Sequence, residues 1–483
     1  MLHSIAMEGI GPARTMRIDL APRLNLIAGD NGLGKSFLLD VAWWLLTRTW
    51  ASAPIRPLAK RTLKPGERFQ RPKASVTFTI DAARGTREYT LDYDWPKQEW
   101  KRFAGRPPSP GLVLYARVDG GFGVWDPVRN YWREAPSVGV DDPERPASFL
   151  FDTEHVWNGL TAKDGRVVCQ GLLHDWVEWQ RSGDVDFRNL TAVLRHLSPP
   201  DGPMLEPGLP RRISLDDVRF VPTLKLPYGE VPIVHASAGM RRVVALGYLL
   251  VWAFREHRSA CELLGQRPEK RIIFLIDEIE AHLHPRWQRA ILPVVLDVAT
   301  GLSANAKVQV LATTHSPFVP LSVETEVDTH DRLWDLDLVN AEASLSLRKW
   351  EVRGDAMAWA TSNLFDLKST RSREGEAAIQ DRQAGIRRDQ GRHRMGATMA
   401  ARSVRVPPSP LYGLSPVGST GSEKLIGSAL TRPEARVVSV VITAQYSTLA
   451  RPSATSRRRF SVTCFSDITW SGWRWRNPPP EPS

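Results

Sequence analysis

Cysteine is scarce in this chain of 483 residues: there are three, Cys169, Cys261 and Cys464, and no two have a C-x-x-C spacing. That excludes a disulfide framework and a cysteine-ligated zinc site, and it predicts a reducing, cytoplasmic setting. Long apolar runs are missing too. The longest, residues 243–254, is too short to cross a bilayer, so no membrane partner is expected. Glu8 and Arg14 interrupt any apolar stretch at the start, which leaves no signal-peptide pattern. The chain also lacks an N-K-x-D guanine motif, an H-x-x-x-H zinc pair and the heptads of an extended coiled coil.

An excess of charge is absent as well, once the charge is located. The net value is +11, yet residues 380–483 hold 16 Lys+Arg against 6 Asp+Glu, leaving 48 against 47 elsewhere. A DNA partner is compatible with this composition but is not argued by it. Residues 380–483 are rich in Arg, Ser, Pro and Gly without sustained periodicity, apart from a strand candidate at 436–442. They read as a low-complexity basic tail, disordered or translated from a shifted frame.

What is present centres on Gly29-Asp30-Asn31-Gly32-Leu33-Gly34-Lys35-Ser36, which fits G-x-x-x-x-G-K-[ST] at every fixed position. A short apolar run, residues 24–28, precedes it, and helical spacing of apolar residues follows over 37–49. Strand, glycine loop and helix form the context this motif requires. Glycines let backbone N–H groups turn toward phosphate oxygens, and a helix start adds its free N–H groups and positive dipole end. Lys35 is then the candidate for reaching the β/γ-phosphates, and Ser36 the candidate for holding Mg²⁺.

A second apolar run, 272–276, ends in Asp277-Glu278, and a third, 308–312, leads to His315. A carboxylate at a strand end beside a phosphate loop suits Mg²⁺, which selects Asp277, and its neighbour Glu278 suits a general base for water. His315 is a candidate to hydrogen-bond the γ-phosphate or that water. His282 and His284, beside Glu278 and Glu280, have H-x-H spacing just before Pro285 and read as loop residues. Asp335 and Asp337 alternate with apolar residues, which predicts a half-exposed strand.

Buried strands alternating with helices predict an α/β P-loop NTPase with a mainly parallel sheet flanked by helices. An antiparallel β-lobe is expected as an insertion over about 60–135, from the hairpin pattern at 75–93 and a strand candidate at 111–118. A helical lobe is expected over about 145–200, with Trp157, Trp176 and Trp179 as core residues. The head as a whole spans about 1–370.

The phosphate loop, Ser237-Ala238-Gly239 before a helix, Asp277-Glu278 and His315 occur in an order that resembles ABC-type ATPases. The stretches Asp277-Glu278-Ile279-Glu280-Ala281-His282-Leu283-His284-Pro285 and Thr313-Thr314-His315-Ser316-Pro317 are similar to the RecF/SMC/OLD-like branch, which includes stand-alone bacterial AAA-family proteins. The resemblance implies binding of ATP with Mg²⁺ and hydrolysis to ADP and phosphate. It also implies a homodimer closed by ATP, in which Ser237 and Gly239 contact the nucleotide of the second subunit. A partner nuclease or other effector, in DNA repair, mobile-element or phage-defence settings, belongs to the same expectation. The alternative is a clamp or scaffold that binds ATP with negligible hydrolysis. Two departures stand out: the signature reads Ala236-Ser237-Ala238-Gly239-Met240, and no glutamine marks a Mg²⁺-linked position, although residues 115–119 occupy that region.

Overall fold

A computed structural model describes residues 1–57, 73–82, 84–101, 108–130, 147–162, 164–199, 202–301, 306–369, 372 and 374–376, with three further segments, 423–429, 438–445 and 459–465. The chain divides into two compact units, Met1–Gly385 and Ile386–Ser483.

The first unit is built on an eight-stranded sheet. Its order is Glu342–Arg348, Arg332–Val339, Leu24–Gly29, Lys307–Thr314, Arg271–Ile276, Leu112–Ala116, Phe122–Trp125 and Phe149–Phe151. The five strands from Arg332–Val339 to Leu112–Ala116 run parallel, and antiparallel strands finish both edges. The fold is therefore α/β with a mainly parallel sheet, that of a P-loop NTPase. The four strands Leu24–Gly29, Lys307–Thr314, Arg271–Ile276 and Leu112–Ala116 are buried along nearly their whole length, as covering both faces of a parallel sheet requires.

Alternate residues of these strands feed two cores. Leu26, Leu114, Phe274 and Val310 face the long helix Ala238–Leu263 and the helix Ile291–Gly301. Ile27, Val113, Leu275 and Leu311 join Trp43 of the helix Lys35–Thr47 and the antiparallel sheet. That second sheet has the order Thr15–Asp19, Leu2–Glu8, Ser75–Asp81, Thr86–Asp94 and Glu99–Trp100.

The extent of the β-lobe needs correcting. It begins with the N-terminal hairpin rather than near residue 60, and Leu112–Ala116 with Phe122–Trp125 belong to the central sheet. The reason is legible afterwards: every residue of Leu112–Ala116 is buried, which a strand with one solvated face is not. The parts of 60–135 at 60–72, 102–107 and 131–135 lie outside the described residues. Over 145–200 come the helices Thr153–Asn158, Leu172–Ser182 and Val185–His196, with a small hairpin between the first two. Trp176 and Trp179 are fully buried there and Trp157 packs at the margin, so all three serve the core.

Three further features concern where elements end. The helix after Ser237 runs over Ala238–Leu263, past the apolar run at 243–254. Beyond Pro285 the chain forms two helices, Pro285–Gln288 and Ile291–Gly301, because Pro293 has no N–H to offer the Arg289 carbonyl one turn earlier. Only Leu333 to Leu336 of the Asp335 strand are buried, since there the strand lies between two neighbours; Asp337 is exposed.

Among the described residues, no helix is long and apolar enough to cross a membrane. In the second unit Glu423–Ala429, Val438–Gln445 and Arg459–Phe465 pair antiparallel, beyond the single strand expected at 436–442; the remainder of the tail lies outside the described residues.

Candidate functional site

Three neighbouring parallel strands deliver the site. In register, Ala28 lies opposite Thr314, and Ala312 opposite Ile276. Whatever follows each strand therefore emerges at one edge of the sheet: the glycine loop after Gly29, His315 after Thr314, and Asp277-Glu278 after Ile276. Open parallel sheets place ligand groups at such carboxyl ends.

The loop needs its glycines for space as well as for backbone freedom. Gly29 has φ 145°, and a Cβ there would sit 2.1 Å from the Leu336 carbonyl oxygen of the adjacent strand. Gly34, at φ 104°, caps the helix Lys35–Thr47 without any side-chain hydrogen bond. Asp30, Asn31 and Gly32 are exposed at the tip, while Leu33 packs partly against the core. A helix start with no internal acceptor, behind an open glycine turn, fits an anionic phosphate.

Lys35 is buried, with its ammonium turned into the loop. It donates to the carbonyls of Gly29 and Asp30, both at 2.8 Å, and meets His315 Nδ1 at 3.2 Å. Burial pulls its pKa down, while Glu278, Glu280 and Asp277 pull the other way. These contacts use all three of its donors. Nδ1 must then accept, so Nε2 of His315 carries the proton and donates to Glu278 Oε1 at 3.1 Å. Lys35, His315 and Glu278 thus form one continuous chain.

Asp277 is 2% exposed, and burial raises its pKa against the hydrogen bonds from Ser36 and Thr313. The Ser36 hydroxyl and Asp277 carboxylate bring together two hard oxygen donors, a set that suits Mg²⁺. Thr313 was not singled out by sequence reasoning. Its hydroxyl donates to Asp277 Oδ1 and accepts the Glu278 N–H, each at 2.8 Å. Glu280, which sequence reasoning met only beside the loop histidines, is buried and accepts the His315 backbone N–H. Burial raises the Glu280 pKa, and that N–H opposes the rise.

Ser237 and Gly239 have local roles within the chain. Ser237 caps its own helix, accepting the Met240 N–H at 3.3 Å. A Cβ on Gly239 would come 2.7 Å from the His282 carbonyl, so glycine is needed for the close approach of that loop. His284 caps the helix Pro285–Gln288, and among the described residues neither it nor His282 gathers with Glu278 and Glu280 into a ligand cluster. Asp335 is buried and bonded to Arg348, which occupies it structurally. No glutamine follows Leu112–Ala116; the Asp277 N–H bonds the Ala116 carbonyl, and Arg117 and Asp119 pair with each other.

Comparisons with known proteins bear on this site. The family described as "AAA domain, putative AbiEii toxin, Type IV TA system" matches residues 163–322, which include Ser237, Asp277, Glu278 and His315 but not the glycine loop. The Septu protein PtuA of Bacillus thuringiensis is 19% identical over 359 residues, 69% of this chain and 78% of that protein. The Retron Ec83 probable ATPase of Escherichia coli is 34% identical over 96 residues, 20% of this chain and 15% of that protein. Among solved structures, the SMC head domain from Thermotoga maritima is 12% identical, covering 72% of this chain and 99% of that one, at a TM-score of 0.34. At that score the fold rests on the strand order above rather than on superposition. The family match is to an AAA domain, and one of the two relatives is described as a probable ATPase, which agrees with an ATP-binding P-loop protein.

Proposed function

We propose that this chain is a Mg²⁺-dependent ATPase whose hydrolysis is completed by a second copy of itself. The observation that carries the reading is the Lys35–His315–Glu278 chain at adjoining strand ends, beside the Ser36 hydroxyl and the buried Asp277 carboxylate. Lys35 exchanges the Gly29 and Asp30 carbonyls for phosphate oxygens. Glu278, oriented by His315 Nε2–H, takes a proton from water as that oxygen attacks the γ-phosphorus and the bond to ADP breaks. Ser36 and Asp277 would hold Mg²⁺, which supplies charge neutralisation on the β/γ-oxygens when bound.

The second copy enters through Ser237 and Gly239, at the start of a 26-residue helix where Ser237 and Ala238 are exposed and Gly239 lies buried behind them. Hydrolysis per chain should then rise with protein concentration below the dimer dissociation constant. Ser237→Arg and Lys35→Ala chains, each inactive alone, should regain part of the activity when mixed, because one composite site then escapes both lesions. A monomer in ATP with concentration-independent specific activity would sink the dimer, and Ser237 would remain a helix cap. No turnover above background at any concentration would leave an ATP-dependent clamp. The names of the relatives, a Septu protein and a retron ATPase, accord with a mobile-element or defence setting and an effector partner.

Thr313→Val tests the strand-end arrangement. It leaves the Glu278 N–H without its acceptor and Asp277 without one of its two hydroxyl donors, so turnover should fall about tenfold while ATP affinity holds. Phosphate release and nucleotide binding, measured side by side, check this. Equal rates for variant and parent would remove Thr313 from the site.

A further inference from the structure

Glu278 holds an uncommon backbone conformation. Its φ is 46°, the left-handed region that residues other than glycine seldom occupy, and such a residue persists only where its surroundings over-determine it. Its N–H is held by the Thr313 hydroxyl at 2.8 Å. Its carbonyl is held from the opposite side by Arg242, whose Nη2 lies 3.4 Å from the Glu278 oxygen and 3.3 Å from that of Asp277. The other arm of the same guanidinium, Nη1, donates to the Val118 carbonyl at 2.8 Å.

Arg242 therefore joins three segments that are distant in sequence. It sits five residues after Ser237, in the early turns of the helix Ala238–Leu263. Val118 follows the strand Leu112–Ala116, and Asp277-Glu278 follow the strand Arg271–Ile276, which pairs with it. A planar fork can serve carbonyls on two elements at once with little freedom left in the side chain, which a single ammonium cannot reproduce. Among the described residues its hydrogen bonds all go to backbone carbonyls, so it orients peptides directly, while the Asp277, Glu278, Glu280 and Asp119 carboxylates act on it only through space.

We propose that Arg242 is a positioning residue for Glu278: by fixing the Glu278 carbonyl it sets where that carboxylate points, and it ties that setting to the start of the helix capped by Ser237. This deepens the reading of Glu278 as general base and rests on it. It also supplies a route by which a phosphate engaged at the helix start changes hydrolysis on the far side of the helix. A shift of that helix start relative to Val118 cannot leave the Glu278 peptide undisturbed.

The test uses the full chain. Arg242→Ala should lower kcat about tenfold or more, with the dissociation constant for a fluorescent ATP analogue within about threefold of the parent. Arg242→Lys should recover little of this, and it carries the measurement if the alanine variant does not fold. In a Glu278→Gln background, measured by single turnover, either Arg242 substitution should change the residual rate by no more than about twofold, since its action passes through the group already removed. Loss of nucleotide binding in step with kcat, full rescue by lysine, or losses that multiply with Glu278→Gln would each overturn the positioning role while leaving the base in place. If Glu278→Gln itself turned over like the parent, the general-base reading would fail first, and this inference with it.

Discussion

Glu278→Gln is expected to lower steady-state ATP turnover by about 10²–10⁴-fold while leaving ATP binding close to that of the parent. Glutamine keeps the volume and one oxygen to accept from His315 Nε2, so the chain from Lys35 through His315 survives. What it loses is the capacity to take a proton at the moment water attacks. The residue lies outside the glycine loop and is not one of the two groups proposed to hold Mg²⁺, so affinity should be spared. ATP would then accumulate unhydrolysed, and the two-chain state should persist long enough to appear in size-exclusion chromatography. Phosphate release at saturating ATP reads the first effect, and titration of a fluorescent nucleotide reads the second. Turnover within about twofold of the parent would mean that another group, or no protein group, handles the proton.

Lys35→Ala should act at the earlier step. Charge-assisted hydrogen bonds to phosphate each contribute about 1.5–3 kcal/mol, so losing this ammonium should weaken ATP binding by about 10- to 100-fold. Its present partners make the expectation sharper. Lys35 is held by the loop's own carbonyls at Gly29 and Asp30, both 2.8 Å away, which keeps a buried cation satisfied in the place where phosphate would sit. The alanine variant also deprives His315 Nδ1 of its donor, so any residual binding should come with little turnover. Equilibrium binding separates the two losses. Unchanged ATP affinity would contradict the phosphate-loop assignment, since nothing else in the loop carries a positive charge.

The residues gathered at the sheet edge were legible beforehand because each is announced by a local pattern. The glycine loop sits between an apolar run and a helical one, Asp277-Glu278 closes an apolar run, and His315 follows another. Once three such strands are parallel neighbours, their carboxyl ends meet, so Lys35, Ser36, Asp277, Glu278 and His315 come together without further information. The strand candidate at 111–118 was equally readable as a strand. Which sheet it joins was not, because that depends on pairing with Arg271–Ile276, more than 150 residues later.

The sequence by itself therefore determined the fold class, the place of the glycine loop and the order of the candidate site residues, since periodicity and motif spacing are properties of short stretches. Only the tertiary structure decided which groups hold those residues in place. Neither Thr313, although it begins the stretch around His315, nor Arg242 has a role its spacing announces, and their partners lie 35 to 124 residues away. A hydroxyl in a buried strand and an arginine in a helix have many equivalent uses until the backbone groups they face are known. The left-handed turn at Glu278 is of the same kind: nothing in its residue type requires it, and the carbonyl and N–H contacts imposed from both sides make it stable.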